Sequence, residues 1–159
     1  MDPWTHLPGA EEFAQLIARE ELRRARMGEP MTVAVLAVDG LRAVRAHHGA
    51  GAGSEVLRRC ADTLRASVRA VDEIARTGPE EFSVLLHATD ASRASIWAER
   101  FEDAFAAAGE SYIGAPLTCS LGVVDTEEEP TLMQATTRAH RRMTVIRTVR
   151  KLRRAHEGD

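Results

Sequence analysis

Met31-Thr32-Val33-Ala34-Val35-Leu36-Ala37-Val38-Asp39-Gly40 is the stretch whose reading decides the architecture. From Met31 to Val38 it is a nearly unbroken apolar run, bounded by Pro30 on one side and Asp39-Gly40 on the other. A short run of this kind, apolar at both parities and fenced by turn residues, predicts a central strand covered on both faces. Upstream, Phe13, Leu16, Ile17 and Leu22 form a helical stripe over Glu11 to Met27, which Gly28-Glu29-Pro30 ends. Downstream, a short helix from Leu41 to His47 meets Gly49, Gly51 and Gly53, which read as breakers. Ser54 then caps a helix to Arg69 that buries Val56, Leu57, Leu64 and Val68.

Working outward, Glu73–Arg76 and Phe82–His87 read as strands of a hairpin turned at Gly78-Pro79. Asp90 to Ala108 is an amphipathic helix carrying Ile96, Trp97, Phe101 and Phe105. Leu117 to Val124 is a further strand, and Pro130 opens a last helix reaching about Ala155. The expected order is α-β-α-α-β-β-α-β-α, an α/β sandwich of ferredoxin-like type with helices around one mainly antiparallel sheet. It makes a single domain over 1–155, in which 131–155 is an extended basic helix, followed by a tail at 156–159.

The 159 residues fit one compact domain. With 44% hydrophobic but only 4% aromatic residues, the core must be built mainly from Ala, Val, Leu and Ile. A net charge of −3 predicts no bulk attraction to nucleic acid or to anionic membranes, although the last helix is locally basic. Cys60 and Cys119 lie in apolar surroundings without metal-ligand spacing and read as reduced core residues. No apolar run approaches the roughly 18 residues that span a bilayer, and no secretory signal pattern opens the chain, so a soluble cytoplasmic protein is expected.

Four local motifs stand in one order on these elements. Asp2-Pro3-Trp4-Thr5-His6-Leu7-Pro8 leads to Phe13; Val38-Asp39-Gly40-Leu41-Arg42 leads through Gly49 and Gly53 to Val56-Leu57; Arg76-Thr77-Gly78-Pro79-Glu80-Glu81-Phe82 follows, then Ser120-Leu121-Gly122-Val123. Together they resemble the GGDEF domain of bacterial diguanylate cyclases over nearly the whole chain, with its palm-type fold. The resemblance implies a site that holds GTP and divalent cations through carboxylates. At the family's site positions this chain has Ala37 in place of the first metal-binding Asp, and Arg45 and Ser54 in place of the Asn and Asp that read guanine. The signature itself reads Gly78-Pro79-Glu80-Glu81, where Pro79 fixes φ and removes an N–H. The family's phosphate-binding Lys falls at about Thr144. On these substitutions the expectation is a degenerate domain that is not an enzyme, with no catalytic residue, no metal and no cofactor.

A second family site, the inhibitory site that binds cyclic di-GMP, is marked by RxxD five residues before the signature. Arg69-Ala70-Val71-Asp72 stands at that offset from Gly78, and Arg100 stands where the family completes the site from the next helix. Arg forks suit guanine edges and phosphates. The pattern alone is also common at helix ends of Arg-rich chains. The resulting expectation is a cyclic di-GMP receptor acting through Arg69, Asp72 and Arg100 and signalling to a protein partner or as a homodimer. The alternatives are a nucleotide-independent scaffold working through its surface and C-terminal helix, or residual GTP binding at Glu80 and Glu81. His47-His48 reads as a surface pair rather than a metal site, and Glu127-Glu128-Glu129 as a complement to the helix N-terminus that follows. The basic last helix contains no aromatic residue, which argues against single-stranded nucleic acid as a partner. The expectation is also that the sensory or receiver domain that commonly precedes such a fold is lacking.

Overall fold

In the computed structural model, which describes residues 1–157, the elements follow the expected order. They are α1 (Ala10–Met27), β1 (Thr32–Val38), α2 (Leu41–His48), α3 (Ala50–Ser67), β2 (Glu73–Gly78), β3 (Glu81–Leu86), α4 (Ala91–Ile113), β4 (Cys119–Asp125) and α5 (Leu132–Glu157). The sheet order is β2-β3-β1-β4 and every pairing is antiparallel. β1 is central: it runs from Thr32↔Leu86 to Ala37↔Glu81 against β3, and from Thr32↔Asp125 to Val38↔Cys119 against β4.

The parity of β1 divides the core. Ala34, Leu36 and Val38 pack with α2, α3 and α4, where Leu41, Val56, Leu64, Phe101 and Phe105 fill the space. Val33, Val35 and Ala37 pack on the other face with α1 and α5, through Phe13, Ile17, Leu132, Ala139 and Met143. The strand is therefore apolar at both parities from Val33 to Val38, and all seven of its residues are buried, Thr32 with its hydroxyl donating to the Thr89 carbonyl at 2.8 Å. α5 comes so close to β4 that a Cβ at Gly122 would collide with the Ala139 carbonyl oxygen and the Met143 nitrogen.

Several boundaries differ from expectation. Ser54 does not cap α3, because the helix starts at Ala50 behind Gly49 (φ 93°) and runs through Gly51 and Gly53. α4 continues to Ile113 and stops at Gly114 in the left-handed region (φ 72°). Leu22 is off the buried stripe of α1 and Ile96 off that of α4, and both are exposed. Thr131, not Pro130, caps α5: its hydroxyl accepts the Gln134 N–H at 3.1 Å. The first half of the expected tail, His156 and Glu157, is helical; residues 158–159 lie outside the described residues.

Candidate functional site

Two regions gather the residues singled out by sequence. One is the corner between α3 and β2. α3 ends at Ser67, Val68 is extended, and the chain turns through Arg69–Asp72, where the Asp72 N–H donates to the Arg69 carbonyl at 3.0 Å. The Asp72 carboxylate points inward. It accepts the backbone N–H of Arg69 (2.9 Å) and of His87 (2.9 Å), which ties the turn to the end of β3. Its side chain is only 2% exposed, whereas that of Arg69 is 56% exposed. The Arg69 guanidinium is steadied by Asp72 at 3.4 Å, by the Thr89 hydroxyl at 3.1 Å and by the His87 carbonyl. Asp72 thus positions Arg69 rather than presenting its own oxygens to solvent. Arg100 stands exposed on α4 and is hydrogen-bonded to neither residue.

The other region lies at the C-terminal end of β1. Ala37 is fully buried against α1 and α5 and offers no ligating atom. Asp39 is buried; its carboxylate accepts from Thr118 Oγ1 (3.0 Å), Ser120 Oγ (2.7 Å) and Arg150 Nη1 (2.7 Å). Glu80, placed in the β2–β3 turn, is held between Arg45 of α2 at 3.1 Å and Arg147 of α5 at 2.9 Å. Glu81 accepts from the Thr77 hydroxyl at 2.5 Å and faces His140 Nε2 at 3.0 Å. The Pro79 carbonyl accepts from Arg76 at 2.5 Å. Gly78 pairs with Glu81 beside a bulge, and the Ser54 carbonyl accepts the Trp4 indole N–H at 2.8 Å. Arg45 lies flat over Gly53, filling the space a Cβ there would need.

A cavity of about 890 Å³ opens at this end, walled by Arg42, Arg45, Arg147, Lys151 and Arg154 around Asp39 and Glu80. Cations outnumber carboxylates there, so the local field favours anions. The residues do not fit a divalent cation: Ala37 has no donor, and the two nearest carboxylates are already engaged by guanidinium groups. Among the described residues no cluster of three or more His, Cys, Asp or Glu could hold a metal, and His47 and His48 are both exposed.

Sequence reading missed Arg147 and Arg150. Arg147, not the exposed Thr144, is the α5 side chain that reaches Glu80. The available signal was spacing: Arg147 and Arg150 follow the buried Met143 by four and seven residues, on the sheet-facing side of the helix. Glu128 and Glu129 pair with Arg138, and Glu128 also with Arg142, a use distinct from the expected helix-end complement. Arg142 draws the Glu128 carboxyl below its ordinary range. Among the described residues no helix is long and apolar enough to cross a membrane.

The family model described as "Diguanylate cyclase, GGDEF domain" matches residues 1–151. The chain is 39% identical over 124 residues to the diguanylate cyclase DgcP of Pseudomonas aeruginosa; the match takes in 77% of this chain but 18% of DgcP, so it spans under a fifth of that relative. Among solved structures, the diguanylate cyclase SiaD of Pseudomonas aeruginosa, in complex with its activator SiaC, superposes with a TM-score of 0.81 at 28% identity, covering 93% of this chain and 58% of SiaD. The GGDEF domain of DgcB from Caulobacter crescentus, in complex with c-di-GMP, gives a TM-score of 0.81 at 20% identity, covering 91% and 88%, a likeness of fold.

These matches correct the expectation that the chain is not an enzyme. Relatives across the matched length are named as cyclases, and substitutions at Ala37, Arg45, Ser54 and Pro79 do not remove it from their family. The physical reason is that the framework which presents the signature is intact: β1 still brings Asp39 to the cavity that Glu80 lines. The order of elements, the antiparallel sheet and a match over residues 1–151 place the chain in the GGDEF domain family of diguanylate cyclases.

Proposed function

We propose that this chain is a cyclic di-GMP signalling domain that binds the dinucleotide at the Arg69–Asp72 corner, with Arg100 completing the contact, and passes that state to a protein partner. The observation that carries this reading is the buried Asp72 carboxylate. It holds an exposed guanidinium in place at a turn, so the Arg69 fork is largely ordered before any ligand arrives. Asp72, His87 and Thr89 engage Nε and Nη2, and the remaining Nη1 N–H groups suit a guanine acceptor or a phosphate alike. That the DgcB domain, alike in fold, was solved with c-di-GMP supports the choice of ligand. Calorimetry on protein freed of nucleotide tests it, with binding expected on the order of tens of micromolar or tighter. Arg69→Ala should weaken binding at least about tenfold, near 1.4 kcal/mol. No heat with the wild-type protein defeats the reading.

The cationic cavity favours a second ligand at the other end of β1. Arg42, Arg45, Arg147, Lys151 and Arg154 suit the phosphates of GTP, held here by protein cations. GTP binding that persists in EDTA and weakens in Arg147→Ala is expected. Binding that requires Mg²⁺, or that Arg147→Ala leaves alone, speaks against it.

A further inference from the structure

α5 has a face that the domain does not use. Its sheet side carries Leu132, Ala135, Ala139 and Met143 in the core, then Arg147 and Arg150 in the ion pairs with Glu80 and Asp39. On the opposite side, Val145, Val149 and Leu152 are 63%, 41% and 66% exposed. They are spaced four and then three residues apart, and His156 follows four later, which is the seam spacing of a helix that packs against another helix. Three aliphatic side chains on one outward stripe gain nothing from the fold that carries them. The stripe is continuous with a groove of about 860 Å³ between α5 and the free edge of β4, where Leu121, Val123, Met133 and Val145 supply apolar walls.

Charge says what covers it. α5 holds eight Arg and Lys residues and a single carboxylate, Glu157, in a chain whose net charge is −3. Arg141 and Arg153, which flank the seam, have no ion-pair partner among the described residues. A second copy of α5 would set these cations against themselves in either orientation. A bilayer surface would favour Trp or Phe on the apolar side, and α5 has neither. We infer that the outer face of α5, along Val145, Val149 and Leu152, docks an acidic amphipathic helix of a partner protein, whose carboxylates pair with Arg141 and Arg153. This surface is separate from the Arg69 corner, so it stands whether or not cyclic di-GMP binds there.

The test uses the full chain and two synthetic helical peptides with Leu at the seam positions, one flanked by Glu and one by Lys. Fluorescence anisotropy should show binding of the Glu peptide that weakens with salt, and at least about tenfold weaker binding of the Lys peptide. Val149→Glu with Leu152→Glu should weaken the Glu peptide about tenfold or more, with thermal melting unchanged because both sites are exposed. Sedimentation should show a monomer. The inference is overturned if neither peptide binds, if both bind equally, or if the double variant binds as wild type. Self-association lost in the double variant, or binding to phosphatidylserine vesicles instead of peptide, would also overturn it.

Discussion

Asp72 and Arg69 touch each other yet carry different burdens. The Asp72 carboxylate is buried and serves two backbone N–H groups as well as a guanidinium, so Asp72→Ala leaves donors without acceptors. A loss of about 1–3 kcal/mol in urea denaturation is expected. Arg69 is mostly exposed, and Arg69→Ala should change stability by less than about 1 kcal/mol while acting on ligand binding. The two variants together therefore separate a folding role from a binding role at one turn. Glycines give a similar contrast. A Cβ at Gly53 meets Arg45 Nε at 2.7 Å, the far end of a flexible side chain that can swing away from Glu80. At Gly122 the obstacle is the backbone of α5, which cannot yield without parting from the sheet. Gly122→Ala should lower the melting temperature sharply, whereas Gly53→Ala should mainly loosen the Arg45–Glu80 pair.

At the scale of elements, α5 begins at a cap that one hydroxyl maintains. Thr131→Ala should remove about 1 kcal/mol, read as a lower urea midpoint with an unchanged slope. Which segments become helix or strand was legible because period and punctuation agree along most of the chain. β1 is the clearest case, since burial on both faces favours a continuous apolar run and the sequence has one from Val33 to Val38. The start of α3 was not legible. Gly49, Gly51 and Gly53 carry strong local preferences against helix, and only tertiary packing, with Arg45 laid over Gly53, overrides them. α4 outran its expected end for the same reason: Gly109 is needed where the chain returns against Ala115 and Leu117. The pairing of Arg69 with Asp72 could be read because they lie only three residues apart, but the ties of that turn to His87 and Thr89, 15 to 20 residues on, could not. The guanidinium clamp on Glu80 could not, because it unites α2, the β2–β3 turn and α5 across 35 and 67 residues of sequence.

For the molecule as a whole, acid should act through a few carboxylates. Burial pulls the Asp2 carboxyl upward, but the Thr5 hydroxyl and amide and the Arg76 guanidinium outweigh it and hold the group below its ordinary value. Glu128 is lowered by Arg142. A carboxylate lowered in the folded state contributes stability that is present above the unfolded value of about 4 and is lost as pH falls through the folded one. Asp2→Asn should flatten the fall in melting temperature below about pH 4, with solvent exposure keeping the effect modest. Cys60 and Cys119 are buried, and desolvation pushes both thiols upward. Neither should react with a thiol reagent until the protein unfolds, which makes their labelling a direct count of global opening. The sheet order also has a consequence for synthesis. β1 leaves the ribosome before both of its partners, gains β3 once Glu81–Leu86 has followed, and meets β4 only once Cys119–Asp125 has been made. Until then the most apolar strand of the protein shows one unpaired edge. A nascent chain stalled before β4 therefore carries an adhesive border that the finished domain conceals, and chaperones have the most to shield during that interval.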